Sequence, residues 1–216
     1  MPPRHEHQDI EQRIVRAADE IIRADGVKKL TMRRLAEEAG VALKTPYNVF
    51  GSKTGVLIAL LNGAIAPLME DIDRKGGHLV VDDLFAMLES TKQIFGADED
   101  FFRGVFWEVM TSDHPEARAV AHGRITQVVI DRVAAAQAAD EIVPEVAAAA
   151  LGGQLGLNLL ANMGSWAGGH LTIDGAMDHT KAVWASLLVG AVTPDVSGAV
   201  SNHLGTIQGV LGTSVE

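Results

Sequence analysis

The sequence predicts an all-α protein. Apolar residues recur at three- and four-residue steps in one segment after another, and no segment alternates apolar and polar residues as a half-buried strand would. Glycine, proline and short polar residues fall where helices would start or stop. The 216 residues leave room for one small and one larger helical domain.

Ile10, Ile14, Ala17, Ile21 and Ile22 form one stripe of a helix over residues 10–24, with Arg13, Arg16, Asp19, Glu20 and Arg23 on the remaining face. Asp25-Gly26 ends it. Thr31 is placed to cap a second, short helix in which Leu35, Ala36 and Ala39 face inward, and Gly40 makes the turn that follows. A third short helix runs to Phe50, and its start has two solutions. Thr45 can cap it with Pro46 first in the helix and Leu43-Lys44 in a turn, or it can begin at Ala42 and hold Pro46 at the edge of its first turn.

Ser52 caps the next helix, which carries Val56, Leu57, Leu60, Leu61 and Ile65 towards Pro67 and Asp73. After a break at Gly76-Gly77, a helix spans Leu79 to Phe95, and another opens at Asp100 with Phe101, Phe102, Val105, Phe106, Trp107, Val109 and Met110. Four further segments run from Pro115 to Asp140, Pro144 to about Ala167, Asp174 to Val192 and Asp195 to Leu211.

Two short helices meeting at a glycine turn form a helix-turn-helix unit, whose second helix enters the DNA major groove in proteins that bind DNA. The run from Ile14 to Leu57, with Leu30-Thr31-Met32-Arg33-Arg34-Leu35-Ala36-Glu37-Glu38-Ala39-Gly40-Val41 followed by Tyr47, Phe50, Ser52, Lys53 and Leu57, resembles the N-terminal domain of TetR-family transcriptional regulators. The resemblance covers about a fifth of the chain. It implies a three-helix DNA-binding domain over residues 1–57 and a helical ligand-binding and dimerisation domain over 58–216. It also implies a ligand-responsive repressor that holds a near-palindromic operator as a homodimer and leaves it when a small molecule binds. This chain departs from the family's recognition helix in having Ala42 in place of a Ser or Thr cap and Pro46 in place of an aliphatic residue.

Candidate DNA contacts follow from that placement. Lys44, Thr45, Tyr47 and Asn48 lie on the third helix or its lead-in, where Asn48 suits adenine and Lys44 suits guanine or phosphate. Tyr47 and Lys53, with Thr31 and Arg33 at the start of the second helix, are candidate phosphate contacts. The formal net charge is −10, yet residues 1–60 hold 10 Lys/Arg against 8 Asp/Glu, and the remainder 8 against 20. The basic side chains concentrate where phosphate attraction needs them.

In the later segments, Leu151, Leu155 and Leu159 share a stripe, while Gly152, Gly156 and Ala161 leave space for a partner helix to approach. Val183, Trp184, Leu187, Leu188 and Ala191 give another helix a broad apolar face. Both faces are either buried within one chain or paired with their symmetry mates in a four-helix bundle, and the resemblance implies the dimer. Phe102, Phe106, Trp107, Met110, Met163 and Trp166 are candidate walls of a cavity for an apolar or amphipathic ligand, which Asn158 and Asn162 would orient.

Other chemistry finds little support. Gly51-Ser52-Lys53-Thr54 lacks the strand and unbroken Gly-Lys of a phosphate loop, and Gly152-Gly153-x-x-Gly156 lacks a dinucleotide setting. His114 with His122, and His170 with His179, have no carboxylate that completes a metal pattern. No enzyme activity, metal or cofactor is expected. Cysteine is absent, no apolar run approaches the roughly 20 residues that cross a bilayer, and Met1 to Gln12 lack a signal-peptide core. A cytoplasmic location follows as the expectation. A contrasting reading is a helical small-molecule-binding protein whose DNA-binding domain is vestigial, and Pro46 with the modest basic charge favours it.

Overall fold

The computed structural model describes residues 4–74, 79–113 and 115–211. Gly76-Gly77 and His114 lie outside them. The described residues are helical with connecting turns, apart from one antiparallel bridge between Ile142 and Val192. The helices are α1 (Arg4–Asp25), α2 (Met32–Glu38), α3 (Lys44–Phe50), α4 (Lys53–Arg74), α5 (Val80–Ala97), α6 (Glu99–Met110), α7 (Pro115–Ala138), α8 (Ala148–Ala167), α9 (Ile173–Val189) and α10 (Pro194–Leu211), with a 3-10 turn at Val27–Lys29. Two compact units result, residues 1–66 with 98–119 and residues 67–97 with 120–216.

In the first unit, α1 buries Ile14, Ala17, Ala18, Ile21 and Ile22 against α2 and the 3-10 turn. Four of the five stripe residues are thus buried, Ile10 is half-buried, and Ala18 joins the inward face. Gly26 ends the helix at φ +83°. The Thr31 hydroxyl accepts the Arg34 N–H at 3.2 Å and caps α2, whose Leu35 and Ala36 are buried. Ser52 likewise caps α4 by accepting the Gly55 N–H at 3.1 Å, and Val56, Leu57, Leu60 and Leu61 are buried.

The second unit is built around α9, which packs on α5, α8 and α10. Trp184 is fully buried and donates its indole N–H to the Leu155 carbonyl at 3.0 Å. Gly152 and Gly156 admit α7 of the same chain. A Cβ would meet the Ile130 Cα at 2.6 Å from Gly152 and the Thr126 Cα at 2.8 Å from Gly156. The expectation that these glycines receive a partner helix is therefore corrected. Leu155 and Leu188, also assigned to a dimer face, are wholly buried within the chain.

α8 starts at Ala148, four residues later than its spacing suggests. The preceding segment is held in other conformations. Gln137 Nε2 donates to the carbonyls of Val143 and Val146, and the backbone of residues 140–143 bonds to residues 191–193. Nearby, the buried Glu141 carboxylate accepts the N–H groups of Val80 and Val81, both at 2.8 Å, at the start of α5. This satisfies backbone donors that a helix leaves free and places an anion at the positive end of its dipole.

Candidate nucleic-acid interface

The turn between α2 and α3 is fixed from behind by α1. Arg13 Nη2 donates to the Ala39 carbonyl at 2.7 Å and to the Gly40 carbonyl at 3.2 Å. Gly40 takes φ +62°, where a Cβ would be strained and would lie 3.3 Å from the Arg13 guanidinium. α3 thus leaves α2 at an angle set by a glycine and a cation.

α3 begins at Lys44, after Leu43 in αR conformation, with the Thr45 N–H bonded to the Ala42 carbonyl at 2.8 Å. This corresponds to neither start considered from the sequence. Pro46 is the third helical residue, where a backbone N–H has no helical partner to lose. Pro46 is also the residue α3 buries. Its ring supplies an apolar contact on the inward face of the helix. The departure from the family pattern leaves the short helix intact.

The outward face holds the candidate contacts. Lys44 and Asn48 are exposed, Tyr47 is 51% exposed, and Thr45 is half-buried. Leu43, 53% exposed, joins them, although neither start considered from the sequence makes it a candidate contact. An apolar side chain this exposed at the entry to the helix suits contact with a thymine methyl group. The available signal was an aliphatic residue inside a basic polar segment.

Thr31 and Arg33 lie at the start of α2. The Thr31 oxygen is engaged as the cap, while the exposed Arg33 pairs with Glu37 at 3.0 Å. Such exposed pairs contribute little and yield readily to another anion. Arg34 pairs with Asp25. Lys53 at the start of α4 is held more firmly, by Glu108 Oε1 of α6 at 2.7 Å.

The candidate ligand residues divide between the units. In the first, Phe102 and Phe106 are buried, Met110 is half-buried and Trp107 is 47% exposed, so α6 turns that indole outward. Phe102 also lines a cleft of about 800 Å³ with Val15, Arg16, Leu60, Gly63 and Phe101. In the second unit, Met163 and Trp166 are buried, with Trp166 edge-on to Phe95 at 5.6 Å. Asn162 donates to the Thr180 hydroxyl at 3.0 Å, and the buried Asn158 Oδ1 has no hydrogen-bond partner among the described residues. Among the described residues, no group of three or more His, Asp or Glu side chains is arranged to hold a metal ion, and no single helix is long and apolar enough to cross a membrane.

The family model of bacterial regulatory proteins of the tetR family matches residues 14–60, the segment that contains this helix-turn-helix. Residues 14–60 are thus a DNA-binding domain of the tetR type. The fold beyond the matched segment agrees. FadR of Thermus thermophilus, a TetR-family repressor solved with lauroyl-CoA, is similar with a TM-score of 0.69 at 21% identity, over 83% of this chain and 94% of its own. SmeT, repressor of the Stenotrophomonas maltophilia multidrug efflux pump SmeDEF, gives 0.62 at 18% identity over 87% and 94%. The Streptomyces fradiae TetR regulator TylP gives 0.63 at 16% identity over 99% and 95%. Among curated protein sequences, none matches the chain.

Proposed function

We propose that the chain is a TetR-family regulator, a ligand-released repressor that binds a near-palindromic operator as a homodimer. The observation that carries the reading is α3: it buries Pro46 and leaves Leu43, Lys44, Tyr47 and Asn48 outward, on a turn fixed by Arg13 and Gly40. In this reading Asn48, Leu43 and Lys44 read base edges, while Tyr47, Thr31, Arg33 and Lys53 hold phosphates. Residues 1–57 serve DNA, and residues 58–216 serve the ligand and the dimer. The intact α3 supports a working DNA-binding domain over a vestigial one.

Leu157, Val183 and Leu187 are 54%, 38% and 43% exposed on α8 and α9, and they support a dimer face. The unpartnered Asn158 Oδ1 supports a ligand with a hydrogen-bond donor, and buried Met163 and Trp166 on the same helix support an apolar body. The solved FadR complex with lauroyl-CoA is an amphipathic precedent on the same fold.

A gel-shift with the DNA upstream of the protein's own coding region tests the reading. A discrete shift that exceeds binding to a mixed-sequence duplex by at least about a thousandfold is expected for specific recognition. Equal affinity for both duplexes would overturn it. Leu187→Glu should give monomers in sedimentation with an intact helical signal and weakened operator binding. A wild-type monomer that binds the operator tightly would remove the dimer.

A further inference from the structure

We propose that Glu108 withholds Lys53 from DNA, so that a carboxylate of α6 gates one phosphate contact at the start of α4. The proposal rests on the DNA-binding reading above and adds a regulatory contact to it. Lys53 is the first residue of α4 and follows α3 by three positions. Its ammonium lies 2.7 Å from Glu108 Oε1, a charge-assisted hydrogen bond across 55 residues of chain.

This pair differs from the other cations of the interface. The Lys53 and Glu108 side chains are 26% and 33% exposed, against 82% and 65% for Arg33 and Glu37. Water and salt screen the first pair less, so its attraction is stronger. The geometry around it is fixed on both sides. The buried Thr54 hydroxyl bonds the Ser112 hydroxyl at 2.7 Å, which ties the residues just after α6 to the first turn of α4. Ser52 caps the same turn, so the backbone that carries Lys53 is held.

A carboxylate in contact with an ammonium leaves no net charge for a phosphate to attract, and its own charge repels the phosphate. Lysine presents three donors on a flexible four-carbon stem, so the ammonium can pass from one anion to another without backbone movement. DNA must therefore displace Glu108 to use Lys53. Any shift of α6 that withdraws Glu108 adds a phosphate contact, and any shift that presses it closer removes one. α6 thereby sets how much of the charge at position 53 reaches the duplex.

The test compares the wild-type chain, Glu108→Gln, Lys53→Ala and the double variant on a mixed-sequence duplex, by fluorescence anisotropy across a salt series. Glu108→Gln should bind about three- to tenfold tighter at low salt. Its log K against log salt should steepen by about 0.9, the increment for one further phosphate. In the Lys53→Ala background the same substitution should change neither quantity. Without DNA, acylation of Lys53 by an amine-reactive reagent, followed by mass spectrometry, should proceed several-fold faster in Glu108→Gln.

Unchanged or weaker binding by Glu108→Gln, while the wild-type chain binds with a normal salt slope, would overturn the gate and leave the DNA-binding reading standing. An equal gain in the Lys53→Ala background would overturn it too, because Glu108 would then act through general charge. An unchanged acylation rate would show that Lys53 is not withheld. If no form binds duplex at low salt, the DNA-binding reading fails and takes the gate with it.

Discussion

α3 and α9 stand at opposite ends of what a helix can do in this molecule. α9 has 17 residues and buries Ile173, Ala176, Met177, Thr180, Trp184, Ala185 and Leu188 against three other helices. α3 has seven residues, and Pro46 is the one it buries. Helices this short are unstable alone, so α3 owes its existence to the turn before it and to the packing of α1 and α2. A surface that must be free to meet another molecule is thus carried by a helix that contributes little to stability. α9 gives one face to the core and keeps Val183 and Leu187 outward, on the face proposed for the dimer. Substitutions should separate these two roles.

The largest effect is expected at Trp184. Its removal by Trp184→Ala opens a cavity at the centre of the second unit and leaves the Leu155 carbonyl without the indole N–H. Truncations of this kind cost about 3–5 kcal/mol, a large part of the roughly 5–15 kcal/mol that holds a domain together. Denaturant titration followed by circular dichroism should show the midpoint fall accordingly. A loss below about 1 kcal/mol would mean that α9 is not the structural centre of its unit.

Asn48→Ala tests the other end of the comparison. An exposed residue outside any special backbone conformation should change stability by less than about 0.5 kcal/mol. If Asn48 reads adenine, operator affinity should fall by about 1–3 kcal/mol while affinity for a mixed-sequence duplex hardly changes. A uniform loss on both duplexes would assign Asn48 to phosphate instead. A drop in melting temperature would show that α3 is more than a platform.

The same contrast explains what could be read from the sequence. Thr31, Ser52, Gly26 and Gly40 are local devices, and each acts within a few residues of itself. Their roles were therefore legible and stand in the structure. Spacing likewise showed that Gly152 and Gly156 share a face. It does not encode which helix covers that face, and α7 of the same chain does so. Trp107 was grouped with its bulky neighbours on α6, yet 12 residues of helix cannot turn all of them inward. The start of α3 depended on Pro46 meeting the core, and the Lys53–Glu108 pair joins residues 55 apart. Neither follows from local pattern.

The smallest effect concerns pH at the edge of the second unit. His203 of α10 stacks on Phe85 of α5, with ring centroids 3.8 Å apart. Its Nε2 lies 3.5 Å from Asp82 Oδ1. Burial disfavours the charged ring and holds its pKa below the ordinary 6.5, although the hydrogen bond to Asp82 pulls the other way and Lys181 adds to the lowering. The neutral ring is thus preferred in the folded chain, whereas the unfolded chain gains a proton near pH 6.5. Folding should weaken as pH falls from about 6.5 through the folded pKa, and gain nothing from this group at higher pH. His203→Phe keeps the stack without the titration and should flatten that part of the curve. Melting temperatures of both forms between pH 7.5 and pH 5.5, roughly one unit either side of the free imidazole value, provide the comparison. Identical slopes would show that the docking of α10 on α5 does not sense the proton at His203.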